Sequence, residues 1–134
     1  MKEIFFSEAI ASAIRNEMQR DENVYILGED VGIYGGSFNP VHKGHIHVAE
    51  SAVKEFELDM IYFVPSRISP HRSSAEYVSG EDRLEMLRIA TSGNPLFHVS
   101  DYELKIDRTS YSVYTVEHFR QKFPNDELFL VVGS

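Results

Sequence analysis

The chain has 134 residues, 43% of them apolar and none of them cysteine, with a formal net charge of −8. That length and composition fit one packed domain, and the missing cysteine excludes disulfide frameworks, thiolate chemistry and cysteine-based metal sites. The acidic balance argues against nucleic acid as a partner, and no apolar stretch is long enough for a membrane, so a cytoplasmic protein is expected.

The first predicted element is a helix capped by Ser7, with Ile10, Ala11, Ile14 and Met18 at helical spacing and Phe6 as a staple. Its interspersed charges do not suit a signal peptide. Short strands are predicted at Val24 to Leu27 and at Val31 to Tyr34, separated by Gly28, Glu29 and Asp30. A Gly-rich turn then leads into a helical stripe of Val48, Ala49, Ala52, Val53 and Phe56. "MIYFVP" has the continuous apolar pattern of a strand buried on both faces. After the polar loop "SRISPHRSSAEYVS", Ser79 and Asp82 form a capping-box pattern that opens a helix, and Gly93-Asn94-Pro95 closes it. "LFHVS" reads as a strand, "SVYTVEHFRQKF" as a helix and "ELFLVV" as a last buried strand.

This alternation predicts an α/β fold with a parallel sheet and helices on both faces, preceded by a helix–strand extension over residues 1–30. The Gly-Gly turn must sit at a strand's carboxyl end to meet the helix after it. Val31 to Tyr34 is therefore expected at the centre of the sheet, with Val24 to Leu27 at an edge or antiparallel.

The densest stretch is "VGIYGGSFNPVHKGH". Gly35 and Gly36 would let the backbone bend sharply and approach a ligand, and Pro40 would stiffen the loop. The helix after Gly44 would aim its N–H groups and its positive dipole end above the sheet, which outlines a phosphate site. His42 and His45 share a face once the first turn forms, and a nearby anion would hold both protonated, with Lys43 as a fixed charge. A Gly-Gly turn alone is a weak signal, and two histidines lack the third ligand that a metal wants. His47, His98 and His118 read as structural or solvent-exposed.

"GGSFNPVHKGH" resembles the nucleotidyltransferase signature, whose His-x-Gly-His tetrad is here His42, Lys43, Gly44 and His45. Together with "FVPSRISPHR", "DRLEML", "TSYSVYTVEHF" and "PNDELFLVVG", it looks like bacterial nicotinate mononucleotide adenylyltransferase from about residue 31 to 134. That resemblance implies a Rossmann-like half-domain that transfers adenylate from ATP, carried with Mg²⁺, to nicotinate mononucleotide in NAD biosynthesis. It implies that Gly35, Gly36, Ser37 and Phe38 cradle the nucleotide phosphates, with Lys43 and Gly133 on the same side. His42 and His45 would be the catalytic pair, with no metal held by the protein. His71 and Arg72, in place of the family's Pro-His-Lys, would serve the phosphate side. Tyr111 and Thr115 would lie near the nicotinate ring, where Tyr114 departs from the small or acidic residue common in the family. The family continues past "VVG" with an acidic residue, a further strand and a Ser-Ser/Thr-x-x-Arg helix that binds the triphosphate. The resemblance therefore implies impaired or absent catalysis in this chain.

"MKEIFFSEAIASAIRNEMQRDENVYILGEDVGIYGG" resembles a second family, the beta subunit of 2-oxo acid dehydrogenases. "GIYGG" fits both families, which implies a chimera joined at that pentapeptide. Glu29 would match an acid near the thiamine diphosphate of that family, but the activating residue lies further downstream there, so thiamine chemistry is not expected. The alternative readings are a non-catalytic recombination scaffold or a fragment of that subunit. A homo-oligomer is expected as well, because "ELFLVV" would otherwise leave an apolar face and an unpaired edge.

Overall fold

The continuous apolar runs become strands that need cover on both sides, and the amphipathic stretches between them supply it. The computed structural model describes residues 2–5, 28–67, 78–106 and 112–132. Its elements are β1 (Lys2–Phe5), β2 (Asp30–Gly36), α1 (Lys43–Phe56), β3 (Met60–Pro65), α2 (Gly80–Thr91), β4 (Phe97–Val99), α3 (Tyr102–Lys105), α4 (Ser112–Lys122) and β5 (Glu127–Val132). They form a five-stranded sheet in the order β1-β5-β2-β3-β4, with every pairing parallel. The expected helix from Ser7 and the expected strand Val24 to Leu27 lie outside the described residues, as do His71, Arg72, Tyr111 and Gly133.

Each central strand alternates between two cores, as the period of two requires. On one face Tyr34, Ile61, Phe63, Phe129 and Val131 pack with Ala49, Ala52 and Phe56 of α1 and Leu87 of α2. On the other, Val31, Ile33, Val64 and Leu128 pack with Phe119 of α4. Gly32 faces the first core, where an added Cβ would lie 2.9 Å from Leu58 Cδ1, so a side chain there would force the sheet and Leu58 apart.

The central position of Val31 to Tyr34 is as expected, since β2 lies between β5 and β3. From β2 the chain adds strands on one side, β3 and then β4, before β5 returns to the other side. Strand order thus reverses at β2, and in open α/β sheets ligands sit beyond the carboxyl end of such a strand. One expectation is overturned. The outer edge of β5 is not unpaired, because Lys2 to Phe5 run parallel along it, opposite Phe129 to Val132. Four residues before the predicted Ser7 cap are too few to show a strand period, so this strand was invisible in the sequence. The unpaired-edge argument for a homo-oligomer falls with it.

At the amino end of the sheet, carboxylates crowd together. Asp59 Oδ2 accepts from the Asp30 N–H at 2.6 Å, and Asp126 Oδ1 accepts from the Glu29 N–H at 2.8 Å. Burial first, then Asp59, Glu127, Asp126 and Glu57, push the Asp30 carboxyl up from 3.8 to about 6. Asp30 Oδ1 is buried without a hydrogen-bond partner. The folded chain therefore binds this proton more tightly than the unfolded chain. Stability rises as pH falls through about 6 towards 3.8, and the carboxylate is a burden above that window. Asp30→Asn should raise the melting temperature at pH 7.5 by a few degrees, on the order of what ~1 kcal/mol produces, and change it little at pH 4.5. Equal shifts at both pH values, read by circular dichroism, would contradict this assignment.

Candidate active site

The β2–β3 ladder ends at Gly36 opposite Pro65. The next six residues, 37 to 42, carry the chain from the sheet to the helix. Gly35 and Gly36 do not make the turn, contrary to expectation. Both belong to β2, opposite Val64 and Pro65, and among the described residues no glycine has a positive φ. The left-handed residue is Phe38, at φ 47. A bulky side chain there is costly, and burial holds it: Phe38 is 1% exposed, with its ring 5.3 Å from Tyr34, 5.6 Å from Phe63 and 5.0 Å from His45. Phe38 is thus a wedge between sheet and helix. The space beside Gly35 is open, since an added Cβ there would find only Val64 O at 4.0 Å.

Helix α1 begins at Lys43, two residues before the start expected after Gly44, with His42 as its N-cap. His42 Nδ1 accepts from the Gly44 N–H at 3.1 Å, and His45 Nδ1 accepts from the His42 N–H at 3.1 Å, closing a capping box of two imidazoles. Their rings stack with centroids 3.7 Å apart. Gly44 is required by this stack rather than by any special φ. An added Cβ would lie 2.9 Å from both Cε1 and Nδ1 of His42. The spacing in "HKGH" therefore has a steric and a hydrogen-bonding cause.

A nitrogen that accepts a main-chain N–H carries no proton, so in each neutral ring the proton resides on Nε2. Each ring is left with one N–H donor, polarised through its other nitrogen by the helix start. This qualifies the expectation of a doubly protonated pair, which applied only beside an anion. A second proton, on Nδ1, would break the cap, and the His45 imidazole is held below its ordinary 6.5 by burial and then by His42. It also corrects the expectation of free helix N–H groups, since those of Gly44 and His45 are taken up by His42. The rings relay the positive end of the helix. Lys43 is exposed beside them, and α1 has no acidic residue in its first turn.

Thr115 is placed elsewhere. It is 4% exposed, and its hydroxyl donates to Glu103 Oε1 at 3.0 Å, joining α4 to α3. Burial raises the Glu103 carboxyl above its usual range, which the Thr115 hydroxyl partly offsets. His118 stacks on Tyr102 at 4.0 Å and His98 on Tyr62 at 5.1 Å, in keeping with structural histidines, while His47 is exposed. Ser37, the last of the expected cradle residues, is exposed at the end of β2, and its carbonyl is held by Arg83 of α2. The sequence reading gave Arg83 no role. Its signal was an arginine on the same helical stripe as Leu87 and Thr91, four and eight residues on, all of which are buried.

With strand, wedge and imidazole cap in view, the comparisons with known proteins decide the family. The cytidylyltransferase-like family profile matches residues 33–134. The chain belongs to the cytidylyltransferase-like family. It is 41% identical over 104 residues to a probable nicotinate-nucleotide adenylyltransferase of Geotalea daltonii, covering 78% of this chain and 48% of that protein. It is 39% identical over 117 residues to one of Rhodopirellula baltica, covering 87% and 55%. The nicotinate-nucleotide adenylyltransferase of Bacillus subtilis is 38% identical over 104 residues, covering 78% and 55%. The chain thus spans about half the length of the curated relatives it matches. Plasmodium falciparum nicotinic acid mononucleotide adenylyltransferase complexed with APC shares the fold, with a TM-score of 0.61 at 18% identity over 76% of this chain and 49% of that one. The same enzyme complexed with NaAD gives 0.62 at 18% identity.

Within this cytidylyltransferase-like chain, Gly44→Ala should expel the His42 ring from its cap. The expected loss is about 1 kcal/mol, the usual value of an N-cap. A urea midpoint equal to that of the parent would contradict the steric role of Gly44.

Proposed function

We propose that this chain is the nucleotide-binding portion of a cytoplasmic nicotinate mononucleotide adenylyltransferase. The observation that carries the reading is the His42–His45 pair, capped at both Nδ1 atoms and left to donate from both Nε2 atoms, at the start of α1 beyond the central strand. The names of the relatives support the same chemistry. In the proposed reaction a phosphate oxygen of nicotinate mononucleotide attacks the α-phosphorus of ATP. The new P–O bond forms as the bond to the β-phosphate bridging oxygen breaks, and pyrophosphate leaves. Positioning and charge stabilisation are all that such a step asks of the protein. His42 and His45 would donate to the α-phosphate and the leaving group, Gly35, Gly36, Ser37 and Phe38 would form the floor, and Lys43 would draw in the anion. His71, Arg72 and Gly133 on the phosphate side, and Tyr111 and Thr115 on the nicotinate side, belong to the proposal through the family resemblance. Mg²⁺ would arrive on the nucleotide. Among the described residues no group of three His, Cys, Asp or Glu is placed to hold a metal ion.

The distinct origin of residues 1–30 is part of this reading and is supported by the dehydrogenase-like sequence pattern. The thiamine alternative has less support, because Glu29 lies at the amino end of β2, the opposite end from His42. Catalysis by this chain alone is expected to be weak or absent, and binding is the direct test. Titration calorimetry with ATP and Mg²⁺ should give a heat that His45→Ala weakens roughly tenfold, the usual worth of a hydrogen bond to a charged group. No heat at millimolar ATP would favour the recombination scaffold.

A further inference from the structure

The ends of β2 and β3 cannot stay together through main-chain pairing alone. Their ladder stops at Gly36 and Pro65, and one more main-chain bond follows, from the Ser66 N–H to Gly36 O at 2.8 Å. Beyond it β2 must turn away toward Phe38. Two carbonyls, those of Ser37 and Ser66, face this widening gap, and both accept from Arg83 Nη1 at 2.8 Å. Arg83 Nε also donates to Val78 O at 3.0 Å. Val78 returns the tie through its own N–H, which donates to Asn39 Oδ1 at 2.9 Å. One side chain from α2 therefore fixes both strand ends, and through Val78 it fixes the loop beyond Phe38.

Arg83 is 1% exposed. Burying a guanidinium is expensive unless its donors are satisfied, and a purely structural role could be filled by an apolar residue at less cost. What the guanidinium supplies is a fixed fork that reaches two carbonyls from one nitrogen, which an ammonium on a flexible stem does not reproduce. It also sets a permanent positive charge beneath the residues that would face a phosphate.

We propose that Arg83 is the positioning residue of the phosphate loop. Its guanidinium acts as a side-chain rung across the open end of the β2–β3 ladder, holding residues 37 to 39 in the shape that a polyphosphate requires. The polyphosphate half of this inference rests on the adenylyltransferase reading, whereas the rung stands without it.

The test uses the whole chain and the variant Arg83→Lys, which keeps the charge and loses the fork. Amide hydrogen exchange without ligand reads the rung. Exchange at Ser66 and Val78 should quicken roughly tenfold or more as a local opening, while that at Phe123, bonded to Phe119 O in α4, stays as in the parent. Calorimetry with tripolyphosphate and Mg²⁺ reads the consequence. Affinity should fall about tenfold to a hundredfold, as for other misplaced site groups, with the melting temperature within a few degrees of the parent. Unchanged exchange at Ser66 and Val78, or unchanged affinity in a loosened loop, overturns the proposal. If the parent itself fails to bind tripolyphosphate while the variant loosens the loop, the adenylyltransferase reading fails and the rung stands. Should Arg83→Lys not fold, Asn39→Ala removes the tie to Val78 and leaves the Arg83 fork in place. It should still weaken tripolyphosphate binding severalfold, and parent-like affinity would overturn the proposal.

Discussion

Everything at the candidate site follows from one steric constraint: the central strand must hand its chain to a helix within six residues. The strand stops at Gly36 and the helix begins at Lys43. Phe38 adopts the left-handed conformation that turns the chain, and its ring fills the space so created between Tyr34, Phe63 and His45. His42 then arrives as the N-cap, its ring seated where Gly44 leaves room on one side and His45 stacks on the other. The packing that closes the first core thus also sets the two imidazoles.

Charge is distributed along the sheet in keeping with that geometry. The amino end of β2 is crowded with Asp30, Asp59, Asp126 and Glu127, whereas the carboxyl end presents a helix start without acids, an exposed lysine and the buried guanidinium of Arg83. The chain as a whole carries a formal net charge of −8. The donors are concentrated at one end of the sheet, the end at which the proposed reading puts the nucleotide phosphates. Each ring of the His42–His45 pair, in its neutral form, keeps an Nε2–H donor because the main chain occupies Nδ1.

The sequence made the architecture legible wherever period and punctuation agreed. Val31 to Tyr34, "MIYFVP" and "ELFLVV" appear as strands, Ser79 caps α2 by accepting from Asp82 N–H at 3.2 Å, and the helix stripe with Ala49, Ala52 and Phe56 faces the core. What could not be read depended on partners distant in the chain. Lys2 to Phe5 form a strand only because β5 offers an edge more than a hundred residues away. Gly35 and Gly36 suggested the turn, yet the fold places it at Phe38, where burial outweighs the backbone preference of a phenylalanine. That His42 and His45 share a face was legible from their spacing, but their tautomer was not, since that depends on which nitrogen the main chain occupies. Nothing in the local sequence announces the role of Arg83, because the three carbonyls that converge on it come from residues 37, 66 and 78.

The central claim is that the helix start claims both Nδ1 atoms and leaves two Nε2–H donors for an anion. Long-range proton–nitrogen correlation spectra of the histidine side chains at pH 7.5 test it directly. The account predicts that His42 and His45 both show the tautomer protonated at Nε2, with His45 titrating below the ordinary histidine value. A proton on Nδ1 of either ring, or a His45 that remains charged at pH 7.5, would contradict it.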